Sequence, residues 1–227
     1  MQPRPGYWKE GLTRRLPISA VIVALFKDPL MAWKRKPKLE ASCSKESPWT
    51  SRTPIIVTDN QGAFIWKGEC YYIRLKVENS GKTRAEKVQV YASSLLKQGA
   101  DGKFVEISTF IPLNLKWSNL GVTVLDGISP KMGAFCDVIA LCDPANPTRA
   151  VPPGTPQSTP QTIAELQLEV APFTGSHLLV PGTYKLLLTI AAANALPVQK
   201  TFHFTHTGTW MRDDVDMRRD GIGLALS

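Results

Sequence analysis

The chain reads Tyr71-Tyr72-Ile73-Arg74-Leu75-Lys76-Val77-Glu78 at the point that decides its fold. The odd-numbered positions are apolar or aromatic and the even-numbered positions are mostly charged, which is the period-two pattern of a strand with one buried face. The turn-forming run Asn79-Ser80-Gly81-Lys82 follows, and Val88, Val90 and Ala92 then repeat the buried row. The pattern predicts two antiparallel strands that a tight turn joins.

The same alternation recurs along most of the chain beyond Pro37, with no helical pattern of comparable length. The further apolar or alternating rows are residues 104–107, 113–117, 133–142, 166–170, 184–190 and 202–204. About eight to ten short strands without helical crossovers indicate an all-β fold with antiparallel sheets. We expect an immunoglobulin-like antiparallel β-sandwich with Trp117 in its core, preceded by a short apolar and basic helix at the N-terminus.

A second local pattern supports two facing sheets. The run Leu179-Val180-Pro181-Gly182-Thr183-Tyr184 places a tight turn before a strand that begins with tyrosine. This order is typical of the tyrosine corner of Greek-key sandwiches, in which the phenol donates a hydrogen bond to upstream backbone. We therefore assign Tyr184 a structural role.

Composition divides the chain into an N-terminal segment, residues 1–36, and a sandwich domain, residues 37–227. Within the domain, residues 144–162 hold six prolines in 19 positions, which predicts a mobile or polyproline-like loop. The C-terminal tail, residues 211–227, is expected to return to the sandwich through its apolar positions. Those positions are Ile222, Leu224 and Leu226.

Positive charge is concentrated at the N-terminus. Residues 1–38 contain nine basic and two acidic residues, a net charge of +7, whereas the remainder holds 18 basic and 17 acidic residues, a net charge of +1. A nucleic-acid-binding domain would normally spread cations over a folded face. Cations that flank an apolar stretch instead favour an anionic lipid surface.

The apolar stretch itself, residues 16–26, reads LPISAVIVALF and is 11 residues long. A helix that crosses the hydrocarbon core needs about 20 apolar residues, so a clean single span is not expected. A second interpretation is a secretory signal peptide, but Lys27, Asp28 and Pro29 follow the apolar stretch directly, where such a peptide would have its small-residue cleavage site. The third interpretation is an interfacial anchor, because Trp33 lies beside a cluster of cations.

The residues predicted to contact the membrane are those of the apolar stretch and the cations after it. They are Leu16, Ile18, Val21, Ile22, Leu25, Phe26, Leu30, Trp33, Lys34, Arg35 and Lys36. If a membrane is involved, the cations predict that the sandwich domain faces the cytoplasm. The alternative is a helix that packs on the sandwich, with its basic residues merely solvated.

The sequence predicts no catalytic, cofactor-binding or metal-binding residues. No catalytic or phosphate-binding motif is present. His203 and His206 lie on opposite faces of one predicted strand, and His177 lies in a loop. The acidic residues Asp213, Asp214 and Asp216 lack the ligand spacing of a calcium loop, so we expect solvated charge there.

The four cysteines are expected to be free and mostly buried thiols. They are Cys43, Cys70, Cys136 and Cys142. Cys136 and Cys142 lie on one predicted strand, where they are expected to share a face but to be too far apart for a direct bond. One sandwich disulfide is the alternative if the domain is exported.

The hairpin from Val77 to Val90 carries the pattern V-x-N-x-G-x-x-x-A-x-x-V-x-V. In this it resembles CARDB-like and related bacterial immunoglobulin-like domains. From Pro37 onward, over about 190 residues, the chain is also similar to uncharacterised bacterial proteins in which a membrane helix leads into a sandwich. Both resemblances imply architecture, and neither implies catalytic residues.

Three hypotheses of function follow. The first is a non-enzymatic, membrane-associated interaction or scaffold module, with an anionic membrane surface and an unidentified protein as its partners. The second is an exported adhesion or carbohydrate-binding sandwich, which the CARDB-like hairpin favours. The third is a nucleic-acid binder that uses the basic N-terminus, whose affinity would depend steeply on salt.

Overall fold

Strand β3 (Phe64–Asn79) contains the deciding stretch and lies inside the first of two sheets. The structure, a computed structural model, describes residues 36–227. The other strands of this part are β1 (Leu39–Ser42), β2 (Thr50–Thr58), β4 (Ala85–Gln98), β5 (Phe104–Glu106), β6 (Leu113–Asn114), β7 (Lys116–Trp117), β8 (Val124–Ile128), β9 (Gly133–Cys142), β10 (Ala164–Leu166), β11 (Leu178–Leu179), β12 (Gly182–Ala192), β13 (Ala195–His206) and β14 (Ile222–Leu226).

Every pairing between these strands is antiparallel. Sheet 1 has the order β1-β3-β9-β10-β11, with β2 also on β3 and β7 also on β9. Sheet 2 has the order β14-β13-β12-β4-β5, with β6 and β8 also on β4. The short strands β5, β6 and β8 thus follow one another along a single edge of β4.

One apolar core fills the space between the two sheets. From sheet 1 it takes the odd-numbered row of β3, and from sheet 2 it takes matching rows of β4, β12 and β13. These residues are Tyr71, Ile73, Leu75, Val77, Val88, Val90, Ala92, Tyr184, Leu186, Leu188, Ile190, Phe202 and Phe204. Trp117 is 1% exposed and packs in the same core. The predicted antiparallel β-sandwich is confirmed, and Pro37–Ser227 forms one compact unit.

A β-bulge in β9 changes which face its later residues occupy. Ile73 of β3 lies opposite Ile139, but Arg74 lies opposite Asp137, so Val138 is an extra residue in the ladder. An extra residue reverses the in–out alternation beyond it. Cys136 therefore points into the core while Cys142 lies on the outer face, and the expectation that they share a face is wrong.

The tight turn before β12 has the predicted hydrogen bond. The Tyr184 hydroxyl donates to the carbonyl oxygen of Val180 at 2.7 Å, and the ring is buried. Burial raises the pKa of Tyr184 to about 12, so the phenol stays protonated as this bond requires.

The inward row predicted over residues 166–170 does not extend to Val170. Strand β10 ends at Leu166, and Val170 is 61% exposed.

The proline-rich loop, residues 144–162, is a series of turns closed around a buried cation rather than extended polyproline. The Arg149 guanidinium donates to the carbonyl oxygens of Gln161 at 2.6 Å and Gln157 at 3.2 Å, and also to that of Thr159. The Gln157 side chain donates back to the Arg149 carbonyl at 2.9 Å. Because only 7% of Arg149 is exposed, these carbonyls replace the water that its charge would otherwise require.

The C-terminal tail returns to the sandwich as predicted. Helix α1 (Asp214–Asp216) and a π-helical turn (Met217–Gly221) lead into β14, which pairs with β13. Ile222 is buried, and Leu224 and Leu226 pack against the core. The predicted N-terminal helix lies outside the described residues. Within residues 36–227, no helix is long and apolar enough to cross a membrane.

Candidate functional site

The outer face of sheet 1 brings together two thiols, a half-buried ion pair and three aromatic rings of the described domain. Most of them project from β3, β7, β9 and β10, opposite to the rows that fill the core, while Trp49 lies just before β2 and Ser118 just after β7. We define this outer face by Trp49, Cys70, Tyr72, Arg74, Lys76, Lys116, Ser118, Phe135, Asp137, Cys142 and Glu165. Most of them are half-buried, although they lie on the side of the sheet away from the core.

An ion pair occupies the centre of this face. Nε of Arg74 lies 3.0 Å from Oδ1 of Asp137, and both side chains are 15% exposed. The Ser118 hydroxyl donates to the same carboxylate oxygen at 2.6 Å, and the Arg74 guanidinium donates to the Ser51 hydroxyl at 2.6 Å. The guanidinium carbon of Arg74 also lies 5.6 Å from the ring centroid of Tyr72. Partners on all sides make this pair a rigid part of the surface.

Aromatic rings and a lysine lie beside the ion pair. Trp49 packs edge-on against Phe135 with ring centroids 5.8 Å apart, and its indole nitrogen donates to the Ser42 hydroxyl at 3.3 Å. The Lys76 ammonium lies 5.6 Å from the Trp49 ring and 2.8 Å from a carboxylate oxygen of Glu78. Cations over aromatic faces are attracted by the negative ring surface.

Two further titratable groups flank Ala140 of β9. Tyr72 pairs with Ala140 from one side and Glu165 pairs with it from the other. Burial raises the pKa of Tyr72 to about 12 and also raises the pKa of the Glu165 carboxyl, with Lys116 acting against the second shift. Tyr72 is thus an uncharged hydrogen-bonding group at neutral pH.

Two thiols meet at the end of β9. Cys70 and Cys142 are opposite each other in the β3–β9 ladder, and their Sγ atoms are 2.9 Å apart. Cys70 is fully buried and Cys142 is partly exposed. The hydrogen bond with Cys70 lowers the pKa of Cys142, while the same bond and burial raise the pKa of Cys70. Cys142 is therefore the thiol that loses its proton first.

The other two cysteines have different surroundings. Cys136 faces the core, its Sγ lies 3.3 Å from the carbonyl oxygen of Lys116, and burial raises its pKa well above the usual value. Burial also raises the pKa of the partly buried Cys43. The four thiols are expected to be mostly buried; Cys70 and Cys136 are buried, whereas Cys43 and Cys142 are partly exposed. The sequence did not predict the close approach of Cys70 and Cys142. No sequence spacing signals it, because 72 positions separate them.

A second cluster joins the C-terminal tail to the strands. The Arg52 guanidinium lies 5.0 Å from the ring centroid of Tyr71 and 5.6 Å from that of Trp210, and it donates to the carbonyl of Met211 at 2.8 Å. The Tyr71 hydroxyl donates to Asp214. Burial raises the pKa of Tyr71 to about 12. These contacts are structural, since they hold the tail in place.

The acidic residues Asp213, Asp214 and Asp216 are expected to be solvated, but each has a hydrogen-bonding or ion-pair partner. Asp213 caps α1 by accepting hydrogen bonds from two of its backbone amides, at 2.8 Å and 3.0 Å, and these bonds lower its pKa. Asp214 pairs with Arg218 at 2.9 Å, and Asp216 pairs with Arg219 at 2.6 Å. Capping and helix-type ion pairs thus account for all three carboxylates.

The histidines do not converge. His203 lies near the Ser227 hydroxyl at 3.3 Å, whereas His206 is buried with Nε2 at 2.9 Å from the carbonyl oxygen of Val180. Burial lowers the pKa of His206 and of His177. In the part of the chain from residue 36 onward, no three His, Cys, Asp or Glu side chains are grouped so that they could hold a metal ion.

Most of the predicted membrane-contact residues lie outside the described part of the chain. They are Leu16, Ile18, Val21, Ile22, Leu25, Phe26, Leu30, Trp33, Lys34 and Arg35. Lys36 is described and is exposed. Tyr184 and Trp117, to which the sequence assigns structural roles, are both buried in the core.

Comparisons of the chain with models of known families, with curated proteins and with solved structures give no match.

Proposed function

We propose that this chain is a non-enzymatic interaction module that its basic N-terminal segment holds at an anionic membrane surface. The observation that carries the proposal is the outer face of sheet 1. Trp, Tyr and Arg are the residue types that dominate binding energy in protein interfaces. Here Trp49, Tyr72 and Arg74 lie together, half-buried, on the same face.

The ordering of these side chains supports binding. Arg74 is held by Asp137 and by the Tyr72 ring, and Trp49 is held by Phe135. Side chains that are already held in one arrangement lose less conformational entropy when a partner binds them. On the outer face of sheet 2, hydroxyl and amide groups such as Ser93, Thr189 and Gln199 lie around Leu187.

A projecting hairpin adds apolar surface next to this face. Strand β9 ends opposite Cys70, so residues 64–69 of β3 pair only with β2. Ile56 is 65% exposed and Phe64 is 66% exposed on this two-stranded ribbon. Exposed apolar side chains grouped on one element are typical of interaction surfaces.

The charge distribution supports attachment to a membrane. Residues 1–38 carry a net charge of +7 and the rest of the chain a net charge of +1, so the folded domain itself has little attraction for an anionic surface. The apolar residues 16–26 and Trp33 would enter the interface while the neighbouring cations contact lipid headgroups. Cations on the near side of the anchor favour a sandwich that faces the cytoplasm.

We also propose that the sandwich is of immunoglobulin-like type. The strand order supports this, since β1, β3 and β9 are neighbours in one sheet while β4, β12 and β13 are neighbours in the other. The hydrogen bond from Tyr184 to Val180, at the turn that leads into β12, has the form of a tyrosine corner.

The interaction face can be tested with a photoreactive amino acid in place of Trp49 in the full chain, expressed in cells. We expect discrete crosslinked products in the membrane fraction after illumination. The matched control is the same substitution at Tyr91, which is 38% exposed on the outer face of sheet 2. Equal crosslinking from both positions, or none from position 49, would show that the aromatic face is not a binding surface.

Membrane attachment predicts a large effect of charge reversal. Each cation near an anionic surface contributes about 1 kcal/mol, so the triple variant Lys34→Glu, Arg35→Glu, Lys36→Glu should weaken binding by at least about 3 kcal/mol. That corresponds to about a hundredfold loss of affinity. The measurement is co-sedimentation of the purified full chain with phosphatidylcholine vesicles that contain phosphatidylserine.

The matched control reverses three exposed cations of the sandwich, Lys67, Lys87 and Lys103, and should change vesicle binding little. Vesicles of phosphatidylcholine alone should bind the unaltered chain weakly. If the N-terminal variant and the unaltered chain sediment equally with anionic vesicles, the attachment proposal is wrong.

A second candidate function is an exported adhesion or carbohydrate-binding domain, and the approach of Cys70 to Cys142 favours it. An oxidising compartment would join two thiols in this arrangement. Mass spectrometry of the protein isolated from its native cells separates the two candidates. An intact Met1 with four free thiols counts against export, whereas a cleaved N-terminus counts for it.

A further inference from the structure

We propose that Cys70 and Cys142 form a thiol–disulfide exchange site, in which Cys142 reacts with a low-molecular-weight disulfide and Cys70 resolves the product. The site is a pair of thiols on the outer face of sheet 1, opposite each other in the ladder between β3 and β9. The exchange reaction does not require a membrane or a protein partner, so its test is independent of the test of the proposed function.

The ladder places the two residues where side chains approach most closely. The amide of Asp143 donates to the carbonyl oxygen of Glu69 at 3.2 Å, so the hydrogen-bonded pair is the neighbouring one. Cys70 and Cys142 are therefore a non-hydrogen-bonded pair, for which the Cα atoms of antiparallel strands are about 4.5 Å apart. Disulfides occur at Cα separations of about 4.4–6.8 Å, which includes this value.

The sulfur atoms need only a small movement to bond. Their separation is 2.9 Å, and a disulfide bond is about 2.0 Å long. Side-chain rotation on two adjacent strands can supply a movement of this size without a change in strand register. Because both strands lie within one sheet, the bond would not alter the packing between the two sheets.

Exposure assigns the two thiols different roles. Cys142 is partly exposed, whereas Cys70 has no exposed surface, so only Cys142 can meet an incoming reagent. The hydrogen bond with Cys70 lowers the pKa of Cys142, and the Arg149 guanidinium acts in the same direction. Thiolate is the nucleophilic form of cysteine, so this environment favours attack by Cys142.

The exchange proceeds in two balanced steps. The Cys142 thiolate attacks one sulfur of a small disulfide, R–S–S–R, so that a Cys142–S–S–R bond forms and R–S⁻ leaves and takes up a proton. Cys70 then gives its proton to solvent and attacks the Sγ of Cys142. The Cys70–Cys142 bond forms, the second R–S⁻ leaves and is protonated, and two thiols have been oxidised while the reagent has been reduced.

The other cysteines do not offer this chemistry. Cys136 points into the core from the far side of the bulge in β9, and burial keeps its thiol protonated. The environment of Cys43 also disfavours the thiolate, because burial raises its pKa. Exchange should therefore occur at one pair among the four free cysteines.

The test uses the purified full chain, fully reduced and then mixed with oxidised glutathione. After alkylation of the remaining thiols, intact-mass spectrometry should show two alkylated cysteines, and peptide mapping should show a Cys70–Cys142 crosslink. The Cys70→Ser variant should stop at the mixed disulfide on Cys142. The Cys142→Ser variant should form neither product and should release reduced glutathione at least about ten times more slowly than the unaltered chain.

Controls separate the proposal from a folding defect. Circular dichroism should show that both serine variants keep the β-sheet spectrum, and Cys43→Ser should leave the reaction unchanged. A chain that keeps four reactive thiols in oxidised glutathione would overturn the proposal. So would a crosslink between any other pair, or a Cys70→Ser variant that carries no adduct on Cys142.

Discussion

Replacement of Asn79 by alanine should lower the free energy of unfolding by about 4 kcal/mol. Asn79 has no exposed surface, and its side-chain amide makes four hydrogen bonds to backbone groups. Each such bond contributes about 1 kcal/mol, and a buried group that loses its partner costs more than an exposed one. The loss should thus be near the upper end of the range for single substitutions.

The four bonds connect segments that are distant in the chain. Oδ1 of Asn79 accepts from the amides of Lys38 at 3.1 Å and Gly81 at 3.0 Å. Nδ2 donates to the carbonyl oxygens of Thr83 at 2.7 Å and Ile128 at 2.9 Å. The residue before β1, the β3–β4 turn and the end of β8 therefore meet at one amide, which joins sheet 1 to sheet 2.

Urea unfolding followed by tryptophan fluorescence gives the measurement. The matched control is Asn60→Ala, because Asn60 is exposed in the β2–β3 turn, and it should change the stability by less than about 0.5 kcal/mol. A loss below about 1 kcal/mol for Asn79→Ala would mean that water or a backbone shift satisfies the freed groups, and that the amide is not the link between the sheets.

The surroundings of Asn79 show which features of the fold local sequence patterns predict and which they do not. The alternation from Tyr71 to Val77 and the turn after it predict β3, the hairpin and the buried row, because these depend only on local periodicity and turn chemistry. The turn composition does not predict that the Asn79 side chain reaches Ile128. That contact depends on the packing of β8 near the end of β3, which no local pattern encodes.

The thiol pair was unpredictable for a related reason. Alternation places Cys136 and Cys142 on the same face of β9, and it would remain correct if the strand were regular. The extra residue at Val138 reverses the face between them, and the register with β3 then sets Cys142 opposite Cys70. A bulge depends on the partner strand, so it cannot be deduced from one strand alone.

The proline-rich loop illustrates a third limit on local patterns. Its composition predicts extended or mobile chain, since proline favours polyproline geometry. In the structure, the buried side chain of Arg149 donates hydrogen bonds to the carbonyl oxygens of Gln157, Thr159 and Gln161. One cation thus determines the course of the loop, and composition averaged over the segment conceals it.

Oxidation of Cys70 and Cys142 to a disulfide should raise the free energy of unfolding by about 4 kcal/mol. The bond would join residues 72 positions apart, and a crosslink that closes a loop of this length removes that much conformational entropy from the unfolded chain. The folded state should change little, because the two residues already lie opposite each other in the ladder. The gain should therefore come almost entirely from the unfolded state.

Urea unfolding of the oxidised chain and of the same chain with reductant provides the comparison. The variant Cys142→Ser should show no difference between the two conditions, whereas Cys43→Ser should keep the full gain. The bond must first be verified by mass spectrometry. If the crosslinked chain is then no more stable than the reduced one, the bond must distort the β3–β9 ladder, and the close fit of the two thiols to a disulfide would be refuted.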